Sequence, residues 1–280
     1  MRLYAADDVR RLAFYLLVPA VAAAGMTACD KEAVQVGFRP EAGASYRYEI
    51  KVQSVTTTVL GDEAPDRAVD EVTLESQDTV LATAPEEIRV QVVLHRTGSP
   101  DRTFQVRFDR GHQLAGVDLV DGLPPEVLGP VGLPVFMPAA ATAPPDRPLS
   151  PGEKWKIDAA PSVPAAGGSA RLEGTGRLVK VTTMGGRKVA SIKADTSVPL
   201  STTTQLEGAT VTISGTERTE STANRALADG VVEEASSVTR GTYALVLSPA
   251  AGAGAQVRGS MEVEIRAQTK RLHDDVKKKS

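Results

Sequence analysis

The chain has 280 residues, with 32 Lys and Arg against 35 Asp and Glu, a formal net charge of −3, and aromatic residues at only 4%. A slightly acidic balance gives no electrostatic footprint for nucleic acid, which excludes that partner class. A single cysteine excludes an internal disulfide framework, so the folded body has to be held by an apolar core.

Residues 1–28 divide into the parts of a secretory signal. Arg2, Arg10 and Arg11 make a basic front, diluted by Asp7 and Asp8, and an apolar stretch runs from Leu12 to Ala24. Gly25-Met26-Thr27-Ala28 is mostly small, as a peptidase site requires, and Cys29 follows at once. Read as a membrane-spanning helix, Leu12 to Ala28 stands at the lower limit of the roughly 17–25 residues a span needs, and Pro19 and Gly25 interrupt it. Met26-Thr27-Ala28-Cys29 resembles the lipobox of bacterial lipoproteins, with Met26 where leucine is usual. The resemblance implies cleavage before Cys29 and acylation of that residue, palmitate included. It also implies an exported protein, lipid-anchored to a membrane of the cell envelope on its periplasmic or outer face. Two or three acyl chains hold a protein stably where one does not. Residues 29–37 then read as a tether of at most roughly 30 Å.

Period-two alternation begins after the tether and recurs to the end of the chain. Tyr46, Tyr48, Ile50 and Val52 share a face, as do Ile88, Val90, Val92 and Leu94, and Phe104, Val106 and Phe108. Their neighbours are charged or polar, the pattern of antiparallel strands with one wet side. Asp109-Arg110-Gly111, Gly185-Gly186 and Asp229-Gly230 stand between such runs and read as hairpin turns. Ala190, Ile192 and Ala194, then Tyr243, Leu245 and Leu247, then Met261, Val263 and Ile265 continue the pattern. The fold class is all-β with little helix, an antiparallel and strongly curved sheet or half-barrel built from hairpins in two halves, residues 38–122 and 152–272.

Residues 123–151 differ from both halves. Prolines at 124, 125, 130, 134, 138, 144, 145, 148 and 151 exclude a central strand or a long helix. Leu133, Phe136, Met137 and their neighbours are too apolar for a free linker, so this crossover either covers an open end of the core or closes over an apolar ligand. Pro151-Gly152-Glu153-Lys154-Trp155 follows, a turn feeding a strand with Trp155 and Ile157 on one face. That piece resembles the strand start of several uncharacterised β-rich bacterial lipoprotein families. Those families are similar in turn to periplasmic lipoprotein carriers and mycobacterial lipid-binding lipoproteins, whose curved sheet encloses acyl chains. On that resemblance Leu133, Phe136, Met137 and Trp155 are the candidate ligand-binding residues. For Trp155 the plain alternative is a place in the core. Residues 273–280 form a charged tail with Lys277, Lys278 and Lys279, either solvated or near lipid headgroups.

Catalytic patterns are missing. His95, His112 and His273 lack metal-ligand spacing, no G-x-S-x-G elbow occurs, and the glycine pairs lack a strand-loop-helix context. The sequence therefore points to a non-enzymatic envelope lipoprotein without cofactor or metal. One form of it binds an apolar or lipid ligand within a curved sheet, and the other presents a β surface to an envelope partner protein.

Overall fold

Alternation decides the architecture. On the strand Ser45–Leu60, Tyr46, Tyr48, Ile50 and Val52 are buried while Arg47, Lys51 and Gln53 are exposed. Successive side chains of a strand point to opposite faces, so one face builds a core and the other meets water. The computed structural model describes residues 32–121, 142, 144–159, 171–206, 209–249 and 255–273. Within them thirteen strands follow one another. They are β1 (Val34–Gln35), β2 (Ser45–Leu60), β3 (Asp66–Thr83), β4 (Ile88–His95), β5 (Arg102–Phe108), β6 (Leu114–Val120), β7 (Pro148–Leu149), β8 (Lys154–Ala159), β9 (Leu172–Met184), β10 (Arg187–Leu206), β11 (Ala209–Ala226), β12 (Val232–Pro249) and β13 (Val257–Leu272).

Eleven of these form a single antiparallel sheet in the order β6-β5-β4-β3-β2-β13-β12-β11-β10-β9-β8. The two halves read from the sequence are therefore one sheet, joined at its centre where β13 pairs with β2 (Ile50 opposite Thr269, Ser54 opposite Ile265). The first half winds outward from β2 to β6, and the second winds inward from β8 to β13. The sheet does not close on itself: among the described residues β6 and β8 each keep one unpaired edge.

The core has two main parts, both on the same face. Phe38, Tyr48, Ile50, Val80, Val106 and Phe108 belong to a large cluster on the first half. Leu149, Trp155, Ile157, Leu178, Ala190 and Ile192 belong to a smaller one on the second. Residues 34–40 run across both as a strap. Val34 and Gln35 pair with Leu149 and Pro148, Val36 enters the smaller cluster, and Phe38 enters the larger. The Phe38 amide donates to Arg110 O at 2.6 Å and the Arg39 amide to Asp229 O at 2.7 Å. Alternating apolar residues bind this stretch as they bind any strand, so the tether expected over residues 29–37 merges with the body at Val34.

The strap meets the β11–β12 turn closely enough to dictate a residue there. Gly230 has φ 71°, and a Cβ on it would stand 2.0 Å from Gly37 O. Only glycine accepts both the left-handed backbone and the approach. The strap, this turn and the β5–β6 turn define one end of the sheet, called here the base. Three hairpins, β2–β3, β10–β11 and β12–β13, leave the base and outrun the core clusters, since 16 residues of β2 alone rise roughly 50 Å. Most of the expected connector, residues 123–151, lies outside the described residues. Its last part forms β7, and Thr142 is buried beside Arg225.

Candidate functional site

The residues singled out from the sequence part ways in the structure. Cys29, Leu133, Phe136 and Met137 lie outside the described residues. Trp155 is buried in the smaller core cluster. Its ring lies across Gly176 of β9, where a Cβ would come within 2.1 Å of it. Glycine at that register position lets a large indole lie flat on the neighbouring strand, which is a packing role.

The inner face of the three long hairpins is more distinctive. Val198 and Leu200 on β10, Val211 and Ile213 on β11, Leu247 on β12, and Met261 and Val263 on β13 all point to the core side. All seven are only half-buried, and none belongs to a core cluster. Tyr243 lies among them, packed against Gly215 and Gly241, and its hydroxyl donates to the Glu217 carboxylate. Burial first, then the hydrogen bond to Glu217, raises the Tyr243 pKa, so its phenol stays neutral. The strip runs roughly 20 Å along β12 and crosses four strands, roughly 15 Å. Threonines at 196, 219 and 239 on the same face separate it from the small-residue floor of Ala194, Ser221 and Ala267 nearer the base.

The opposite face carries an open polar groove of about 520 Å³. Glu49 and Lys51 of β2, Gln268 and Lys270 of β13, Glu234 and Ser236 of β12, and Thr222 and Asn224 of β11 line it. No aromatic residue is among them, so a sugar ring has nothing to stack on there.

Below both faces, at the base, polar groups are buried with the core. His112, itself at φ 63°, stacks on Phe38 with ring centres 3.8 Å apart and planes 9° apart, and meets Phe108 edge-on at 4.7 Å. Its Nδ1 is buried without a hydrogen-bond partner. Burial, then the Arg225 cation, holds its pKa well below the usual histidine value. Arg225 is fully buried, donates to Thr142 Oγ1 at 2.8 Å, and is itself lowered to about 10 by burial. On β3, Asp78 accepts from Ser76 at 2.8 Å, and burial pushes its carboxyl up to about 7. Glu233 gathers Arg271 at 2.9 Å, His273 at 2.9 Å and Arg187 at 3.1 Å.

These groups do not assemble a catalytic constellation. His95, the last residue of β4, meets Asp101 at 2.6 Å, but both side chains are more than half exposed. No group of three His, Cys, Asp or Glu able to hold a metal occurs among the described residues. No helix among them is long and apolar enough to cross a membrane. The inner strip was foreshadowed by the apolar alternation of Met261, Val263 and Tyr243. Its separation from the core was not, because periodicity gives the face of a side chain and not what covers it.

No protein-family profile matches the chain, and no curated protein does. Among solved structures, OpdL of Pseudomonas aeruginosa aligns with 82% of this chain and 99% of its own, at 8% identity and a TM-score of 0.20. A loop L8 deletion mutant of OmpT, an outer membrane protein of Vibrio cholerae, aligns with 83% of this chain and 100% of its own, at 9% identity and a TM-score of 0.16. Scores this low do not amount to a shared fold.

Proposed function

We propose that the chain is an envelope lipoprotein, anchored through acylated Cys29, that holds an apolar chain such as a lipid acyl group along the inner face of its long hairpins. The half-buried aliphatic strip carries this reading. Seven apolar side chains stand on a curved sheet without belonging to its core, and covering them removes apolar surface from water at about 25 cal/mol per Å². Threonines bound the strip toward the base, and Glu217, opposite Val198 and Gly241 on the same face, sets with Tyr243 a polar point inside it that a headgroup or other polar group of the ligand would meet. The role is binding or carriage without bond making. No metal or cofactor enters it.

Two expected results test the reading. Protein purified from membranes should carry a lipid adduct in native mass spectrometry, and the double change Met261→Glu with Val263→Glu should reduce that adduct at least tenfold. Both residues lie outside the core clusters, so the variant should keep its unfolding free energy within about 1 kcal/mol of the parent. Adducts of equal abundance on both proteins would remove the strip from the reading. Separately, Cys29→Ala should move the protein from the membrane to the soluble fraction. Retention of that variant in the membrane would count against acyl anchoring.

A second reading, a lipoprotein that presents its sheet to an envelope partner protein, draws on the edges of β6 and β8, which are unpaired among the described residues. Free edges accept added strands. Crosslinks concentrated at β6 or β8 would favour it over the lipid ligand.

A further inference from the structure

The inner strip is built of cross-strand rows, and the row nearest the base differs from the others. It runs Val198, Glu217, Gly241 and Val263 across β10 to β13. On its base side stand Thr196, Thr219, Thr239 and Ile265, and on its tip side Leu200, Gly215, Tyr243 and Met261. Glu217 therefore sits where the apolar surface begins. That surface continues from it toward the tips, over Ile213 and as far as Val211 on its own strand, roughly 20 Å away. The Glu217 side chain is held in place. Glycines at 215 and 241 leave the Tyr243 ring room to lie across the neighbouring strand, and its hydroxyl donates to Glu217.

No cation shares this surface. The inward positions from Ala194 to Leu200 on β10, Ile213 to Ser221 on β11, Ser237 to Leu247 on β12 and Gly259 to Ala267 on β13 hold neither Lys nor Arg. Arg218 and Arg240 stand opposite each other on the other face, where Arg240 meets Glu264 at 3.0 Å and Glu220 at 3.6 Å. Arg225 does face inward, but it is buried in the base, eight residues along β11 and roughly 26 Å away. The charges that follow on the inner face of β3, Asp66 and Asp70, are acidic too.

We propose that the ligand of the strip is an amphiphile with a cationic nitrogen head, a protonated amine or a quaternary ammonium, seated on Glu217 with its chain running toward the hairpin tips. The inference rests on the reading of the strip as an acyl-chain site and adds the chemistry of the head. An apolar chain laid over this row strips water from Glu217, and a carboxylate desolvated without a counter-charge is strongly unfavourable. A nitrogen cation at that point takes the place of the lost water and makes a charge-assisted contact with the carboxylate. Tyr243 spends its one hydroxyl proton on Glu217 and so has none to offer an anionic head. A phosphate or carboxylate head would set like charge against like, so the residue that selects the cation also rejects the anion.

Three hexadecyl amphiphiles that differ only in the head test this on the full-length protein in non-ionic detergent: hexadecylamine, hexadecyl phosphate and hexadecanol. Offered as an equimolar mixture and read by native mass spectrometry, the amine adduct should exceed the phosphate adduct about tenfold, with hexadecanol between them. Glu217→Gln keeps an acceptor for the Tyr243 hydroxyl and removes the charge. In that variant the amine adduct should fall to the level of hexadecanol, whose own adduct stays as in the parent. Glu217→Lys should reverse the order and put the phosphate first. Equal adducts of all three on the parent, or an amine preference undiminished in Glu217→Gln, would overturn the cationic head while leaving an apolar chain on the strip. No adduct from any of the three, hexadecanol included, would overturn the acyl-chain site and this inference together, so the two failures are told apart.

Discussion

Replacing Phe38 with alanine should lower the stability of the body by about 3–5 kcal/mol, the range for truncating a buried aromatic. Phe38 is 3% exposed and makes three separate contacts at the base. It stacks on His112, stands edge-on to Phe108 at 6.1 Å and 86°, and enters the larger core cluster. Aromatic pairs of this kind add about 0.5–1.5 kcal/mol beyond their buried area. Removing the ring also uncovers His112 and loosens the strap, whose remaining ties are the two-residue β1–β7 pair, Val36 in the smaller cluster, the contacts of Gln35 and Arg39 with Asp146 and a few backbone hydrogen bonds. Urea unfolding measures the cost. Hydrogen exchange should show the Val34 and Gln35 amides losing protection well before β2. A cost under about 1 kcal/mol would mean that the strap is an ornament of the fold and not part of its closure.

The second large effect is a stability profile with two opposed arms. His112 resists protonation because it is buried and faces Arg225, with Phe38 above it, Phe108 at its edge and Asp109 nearby on the same turn. Its folded pKa lies below the unfolded value near 6.5, so the stability attached to it is complete above that pH and is lost as the pH falls. Asp78 behaves in the opposite sense. Its folded pKa is raised from 3.8 to about 7, so the stability attached to its proton is complete below about pH 4 and is lost as the pH rises toward 7. The span between those values sets a ceiling of about 4 kcal/mol, and the water that reaches this half-buried carboxyl lowers the expectation to about 2 kcal/mol. Asp78→Asn should therefore stabilise the protein by about 2 kcal/mol at pH 8 and leave it nearly unchanged at pH 4. His112→Gln should flatten the acid arm instead. Thermal unfolding of the three proteins between pH 4 and 8 separates the two. An Asp78→Asn variant no more stable than the parent at pH 8 would show that the carboxylate is solvated or paired in the folded state.

Strand positions and faces were legible in the sequence because burial on one side imposes a period of two. Tyr46 to Val52 and Ile88 to Leu94 face the core as their alternation requires. The turns at Gly185 and Asp229 stand where their glycines place them, with Gly185, Gly186 and Gly230 at positive φ, whereas in the turn at Asp109 the positive φ falls on His112 and not on Gly111. The order of strands was not legible, because cross-strand partners such as Ile50 and Thr269 share no local signal. The strap was read as tether for a related reason. Val34, Val36 and Phe38 make an alternation too short to separate from chance, and their partners at Leu149 and His112 are far along the chain. The polar base was missed altogether. His112 stands in a hairpin turn, where a surface histidine is the default, and only the fold brings Phe38 and Arg225 against it.

The pairing of β2 with β13 has a consequence for how the chain comes to be folded. Each half can zip locally, hairpin by hairpin, from its own turns. The middle of the sheet cannot, since its two strands lie near opposite ends of the chain, and closing so long a loop carries a large entropic cost before any reward. Until β13 arrives, β2 presents an open edge and an uncovered row of Tyr46, Tyr48, Ile50 and Val52. The slowest step of folding is then the seam at the centre of the sheet, and the interval before it closes is when the chain is most exposed to aggregation or most in need of a chaperone.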